Sequence, residues 1–323
     1  KYNYMKNNIK FFTILFIKIL FVIICFYYLL NNNFVDFNNL IPLLLNDFKI
    51  LNILFILTLV TILLAAARWY LILKSLNFEI DFKRVLEIVY IGTFFNNLLI
   101  GGYGGDAMRI YYIFKASEEK KLLLSLSVFF DRLIGFAGLL AVGIFFLLQI
   151  LNINEIYNLI IKNINIFYFC VLIIFLILSF LIFINFEIFK QPRDMIKKFL
   201  LYLLHKKKMF FICLILSITL FCIVNLSVFV ISDTIFNFQI NLKQIFVSNS
   251  VTVLMNSLPI TPGGVGIGEL SFIKMNNLFV DSSMLIGLAN VIIFFRIVNF
   301  IVSLPAILFY VRYKNKNYKF NNS

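Results

Sequence analysis

The chain has 323 residues, 62% hydrophobic and 14% charged, with a formal net charge of +14 and a mean hydropathy of +0.97. Soluble domains are about 45–50% apolar, so the composition excludes an ordinary soluble domain and points to an all-α polytopic integral membrane protein. Lys and Arg flank apolar runs rather than forming one basic face. They read as topology signals and contacts to anionic lipid heads, and no nucleic-acid partner is expected.

Six apolar runs read as full spans: Lys10–Leu30, Ile50–Leu73, Leu122–Ile150, Ile166–Phe186, Met209–Phe236 and Ser283–Val311. The first follows Lys1, Lys6 and Lys10, is long enough to cross a bilayer, and precedes no small-residue cleavage site. It is expected to be a retained helix. Two further apolar stretches, around Val85–Tyr112 and Ile245–Phe279, are broken by glycine: GGYGGDAMR at Gly101–Arg109 and PITPGGVGIGE at Pro259–Glu269. Glycine and proline in such numbers stop a helix. Each stretch is a re-entrant hairpin or a pair of short spans. Lipid cannot satisfy broken backbone, so such breaks survive only against protein or a watery cavity. Paired breaks in the two halves of a chain point to a transport site.

Basic residues cluster before the first span, between the second and third, between the fourth and fifth, and in the tail 312–323. The loops Asn31–Lys49 and Leu151–Asn165 carry few. This alternation predicts cytoplasmic termini, with the first break on the cytoplasmic side and the second outside. Cys25, Cys170, Cys213 and Cys222 lie in apolar runs without metal-like spacing and read as buried free thiols. His205, beside Lys206–Lys208, reads as a solvated loop residue.

The chain also repeats. Laid over one another without a gap, Leu76–Gly104 and Phe236–Gly264 share eight identities, among them Asn77/Asn237, Asn96/Asn256 and Gly104/Gly264. About three would arise by chance in so biased a composition. With a slightly larger shift, Phe130, Arg132 and Phe136 overlie Phe294, Arg296 and Phe300. The single membrane domain 1–323 therefore divides into an N-terminal span at 10–30, repeat 1 at 50–150, a connecting span at 166–186 and repeat 2 at 209–311. The charge pattern gives the repeats opposite orientation, an inverted-topology arrangement found in transporters.

Arg132 and Arg296 lie well inside their spans, where an arginine costs at least about 2.5 kcal/mol. Each is either half of an internal ion pair or a seat for a lipid phosphate. Asp131 adjoins Arg132, but such neighbours do not face each other on a helix, so it is expected to pair with Arg109 or Arg68. Arg68 could instead snorkel to the interface, with Trp69 as interface anchor. Asp106 and Glu269 sit where the chain resumes after each break. They either complement a helix N-terminus or hold a cationic head group or a proton. The N–H groups of Gly104, Gly105 and Gly264–Gly268 offer places for phosphate oxygens. Pro259 and Pro262 make a rigid bend, and Gly263, Gly264, Gly266 and Gly268 allow close approach. No GxSxG, Walker or metal-ligand pattern is present, so no cofactor, metal or catalytic residue is expected.

The runs NNLLIGGYGGDAMRIY, FFDRLIG, LPITPGGVGIGE and FFRIVNF together resemble the lysylphosphatidylglycerol synthase transmembrane-region family, also called flippase-like domain proteins. The resemblance implies a bacterial inner-membrane fold of about eight helices with re-entrant segments. It also implies movement of aminoacylated phosphatidylglycerol between leaflets. The family's motif residues fall on Gly105, Asp106, Arg109, Asp131, Arg132, Pro262, Gly263, Gly264, Gly266, Glu269 and Arg296. The best-known members carry a soluble aminoacyl-transferase domain after the membrane part. Here only a short basic tail follows, so lysyl transfer is not expected.

The expectation is a lipid flippase for an anionic, aminoacylated or polyprenyl-phosphate-linked lipid. The alternatives are a membrane enzyme or subunit in lipid-linked sugar or aminoacyl-phospholipid metabolism, and a scaffold for a separate synthase or glycosyl transferase.

Overall fold

A computed structural model describes residues 23–25, 27–32, 34–35, 48–98, 104–116, 121–150, 206–258, 261–280 and 285–315. Among these the regular structure is helical: α1 (Phe48–Ser75), α2 (Phe82–Leu98), α3 (Gly104–Ala116), α4 (Lys121–Ile150), α5 (Lys207–Val230), α6 (Leu242–Asn256), α7 (Ile267–Asn276), α8 (Ala289–Ser303) and α9 (Ala306–Asn315). The expected span Ile166–Phe186, most of Lys10–Leu30, and Cys170, His205, Gly101, Gly102 and Pro259 lie outside the described residues.

Among the described residues, three helices are long and apolar enough to cross a membrane: Phe48–Ser75, Leu124–Ile150 and Lys207–Ile235. They are apolar all round, as a span must be. On α1 the buried positions Leu54, Thr58, Ile62, Ala66, Trp69 and Leu73 recur every three or four residues. That stripe meets protein, while Ile53, Ile56, Leu59 and Leu63 stay exposed for lipid. The last expected span, Ser283–Val311, is not one straight helix. It begins as α8 at Ala289 and bends by 41° into α9. Pro305 stands at the bend, where its ring and missing N–H break the helical ladder.

The helices around the glycine breaks are short. At 1.5 Å per residue, α3, α6 and α7, of 13, 15 and 10 residues, reach only about 15–23 Å, less than the roughly 30 Å hydrocarbon core. Each pairs with its neighbour, α2 with α3 and α6 with α7. Paired short helices are compatible with both readings left open by the sequence, and each pair has the shape of a hairpin.

Positions matched in the sequence share local features in the structure. Asn77 and Asn237, matched in the sequence repeat, both take left-handed backbone, with φ 53° and 52°, which asparagine tolerates better than most residues. Each ends a long helix, and α2 and α6 begin at matched positions, Phe82 and Leu242. The end of α5 winds into a π-helical turn, Ile231–Ile235, the form by which a helix absorbs an extra residue. The halves meet through α1 and α4 against α5, α4 against α6, and α9 against α2. Glycine permits these contacts: a Cβ on Gly138 would lie 2.5 Å from Ser217 Cβ, and one on Gly143 3.1 Å from Ser250 Cβ. Small residues allow such approach where lipid offers no hydrophobic drive between helices.

Candidate functional site: a cavity with paired arginines

Arg68, Asp106, Arg109, Asp131 and Arg132 gather at the meeting of α1–α4 with α5 and α6, whereas Glu269, Arg296 and the glycines of the second break do not line this place. A cavity of about 400 Å³ opens there, lined among others by Arg68, Asn96, Asp106, Arg109, Asp131, Arg132 and Asn256. Three guanidinium groups against two carboxylates leave its wall with one net positive charge. Phe136, Leu139, Phe221 and Val253 supply apolar wall.

Asp131 organises the inner end. Arg68 Nε donates to its Oδ1 at 2.6 Å and Arg109 Nη1 to its Oδ2 at 3.1 Å. The carboxylate is almost wholly buried, so a single cation would serve it less well than two aligned donors. Arg68 also donates from Nη1 to Ser217 Oγ at 2.8 Å. It does not snorkel. Trp69 is not an interface anchor either: it is fully buried, donates from Nε1 to Ser127 Oγ at 3.2 Å and lies 5.4 Å under the Arg109 guanidinium. The buried ion pair draws the arginines inward, and the indole face follows as a cation–π partner. Gly135 and Gly92 leave space for these side chains: a Cβ on either would lie 3.2 Å from an Arg68 or Arg109 nitrogen.

Each break is followed by an acid that pairs with an arginine of a later helix, α4 for Asp106 and α8 for Glu269. Arg132 Nε donates to Asp106 Oδ2 at 2.6 Å. Arg296 Nε lies 2.8 Å from Glu269 Oε1, close enough for an ion pair although the N–H is not aimed at that oxygen. Glu269 also caps its helix, since its Oε2 accepts from Gly266 N at 2.7 Å. Arg296 donates further to Gly263 O at 2.6 Å, Asn256 Oδ1 at 2.9 Å and Gly264 O at 3.0 Å. It is a clamp on the second glycine turn. Of the two arginines that the sequence leaves between ion pair and phosphate seat, Arg132 borders the cavity, and Arg296 does not line it and has both Nη groups engaged.

The glycine N–H groups also differ from expectation. Gly105 N donates to Asn96 Oδ1 at 2.8 Å, Gly264 N to Thr261 O and Gly266 N to Glu269. A buried amide finds a partner within the fold, and these three are satisfied internally rather than held open for phosphate. Gly263, Gly264 and Gly266 all have positive φ. Asn96 and Asn256, at the heart of both hairpins, were missed as site residues. Their signal was present: they match in the repeat, each just before its break.

Two polar atoms of cavity-lining residues, Arg109 Nε and Asp106 Oδ1, are buried out of the cavity's reach and have no hydrogen-bond partner among the described residues. One is a donor and the other an acceptor.

The signature of the lysylphosphatidylglycerol synthase transmembrane region matches residues 15–306. The chain belongs to this family. It is also similar to two UPF0104 membrane proteins, one from Pyrococcus horikoshii and one from Methanocaldococcus jannaschii. The first is 41% identical over 61 residues, 19% of this chain and 18% of the relative. The second is 34% identical over 84 residues, 26% of this chain and 25% of the relative. The matches thus span a quarter or less of each relative's length. Family membership and apolar helices together make this lysylphosphatidylglycerol synthase transmembrane-region member a membrane protein.

Proposed function

We propose that the chain moves a phospholipid, or a polyprenyl-phosphate-linked lipid, between the leaflets of the cell's inner membrane. In this reading it is multi-pass with cytoplasmic termini, its two halves form an inverted repeat, and the cavity between them receives the head group. The supporting observation is the wall chemistry. Arg132, a part-exposed donor, and Asp106, a part-exposed acceptor, line a cavity with one net positive charge. A phosphate oxygen complements the donor, and an ammonium or hydroxyl group complements the acceptor. An aminoacylated phosphatidylglycerol carries both. Apolar wall beside the charged groups suits a ligand with a polar head and lipid tails.

Reconstitution tests the proposal. Proteoliposomes with head-group-labelled phosphatidylglycerol or its aminoacylated form should exchange the lipid between leaflets faster than empty liposomes. Arg132→Gln and Asp106→Asn should each slow exchange by roughly tenfold to a hundredfold, the worth of a hydrogen bond to a charged group. Wild-type exchange equal to that of empty liposomes would overturn the proposal.

A further inference from the structure

We propose a second lipid site, on the flank of the molecule: a groove between α1, α2 and α9 that takes one acyl chain of an anionic phospholipid and holds its phosphate at Lys83. The groove encloses about 310 Å³ and shares no lining residue with the central cavity. Leu59 and Leu63 of α1, Leu86 and Tyr90 of α2, and Phe309 of α9 form its walls, with Lys83 also bordering it.

The polar atoms nearest the groove are turned away. Tyr90 Oη donates to Val302 O at 2.5 Å, and Glu87 Oε2 accepts from Tyr313 Oη at 2.7 Å. What faces the groove from these residues is therefore ring and methylene. Leu59 and Leu63 are each 43% exposed on a membrane-crossing helix, so the groove opens towards lipid. Water has no hydrogen-bond partners in such a place, and an empty groove forfeits dispersion contacts. An acyl chain fills it.

Lys83 supplies the head-group preference. The rings of Tyr70 and Phe82 are in contact at 5.6 Å, so α2 starts about 8 Å inside the end of α1 at Ser75 and runs back beside it. Lys83 thus marks the groove end nearer Lys74, and Leu59 the deeper end. Lys83 is exposed, and among the described residues no carboxylate pairs with it. Its stem can follow the apolar wall while the ammonium reaches the phosphate level. The first turn of α2, where Lys83 stands, adds its own positive end.

Brominated lipids test the site. Phe309→Trp places a reporter on the groove wall, with Leu63→Trp as a second should the first fold poorly. Trp69, the native tryptophan, is fully buried and gives a constant background. Phe145→Trp, on the exposed face of α4, is the control. Vesicles of phosphatidylcholine would carry equal fractions of tail-brominated phosphatidylglycerol or tail-brominated phosphatidylcholine. The groove reporter should prefer the brominated phosphatidylglycerol about fivefold over the control, and Lys83→Gln should abolish the preference. Equal preference at groove and control overturns the proposal, as does a preference that survives Lys83→Gln. Absence of quenching by either lipid also overturns it, because a protein segment then fills the groove. None of these outcomes depends on lipid transport.

Discussion

At the residue scale, Asp131 carries the most structural consequence. It is almost completely buried and holds two arginines. Asp131→Asn would leave two guanidinium groups sharing a neutral amide. Breaking a buried pair costs about 3–5 kcal/mol, because the remaining charge stays desolvated. Thermal unfolding in detergent should show a loss of this size, or no folded protein. Arg132→Gln is expected to cost less, about 1.5–3 kcal/mol, since its side chain is 28% exposed and it serves a single carboxylate, and its loss should register in lipid exchange as well. Similar melting of the two variants would mean that Asp131 is not the organiser of the inner end. The pairing of Asp131 was legible in the sequence, because helix geometry removes Arg132 as its partner. The burial of Trp69 was not. Its place depends on Arg109, which stands on a different helix, and only the assembled ion pair brings them together.

At the element scale, the second hairpin is held by contacts that a single methyl would spoil. A Cβ on Gly268 would lie 2.2 Å from Asn256 Oδ1 and 2.6 Å from Arg296 Nη2. Gly268→Ala should therefore lower stability by about 1–3 kcal/mol, the usual range for overpacking. Asn256→Ala in the same background removes the colliding oxygen, so the two losses should add to less than their sum. Full additivity in paired melting curves would show that glycine is there for another reason. The positions of the breaks were readable from glycine and proline alone, as were the long apolar helices. The bend at Pro305 was not read, because one proline in an apolar run looks the same whether the helix kinks or ends. The closing of the glycine amides was hidden for a related reason. Their acceptors, Asn96 Oδ1 and Glu269 Oε2, are side chains whose direction is set only when the hairpin folds.

At the scale of the whole molecule, the two halves share a sequence of features: a long helix ending at a left-handed asparagine, a broken hairpin, and a helix whose arginine pairs with the acid after the break, straight in α4 and bent into α9 after α8. This order was visible in the sequence as the matches of Asn77 with Asn237 and of Arg132 with Arg296. Spacing cannot show orientation, and loop charge alone suggested that the copies are inverted. The matched exposed residues Glu79 and Gln239, each two positions after its asparagine, offer a direct measurement. In a cysteine-free background, Glu79→Cys and Gln239→Cys would be probed with a membrane-impermeant maleimide. Gln239→Cys should label in intact cells, and Glu79→Cys only after permeabilisation. Labelling from the same side would make the halves a parallel duplication. The cavity would then lack the pseudo-two-fold relation on which alternating exposure to the two leaflets depends. Labelling from opposite sides would place the paired acids and arginines in opposite halves of the bilayer, with the cavity between them as a route for a lipid head group.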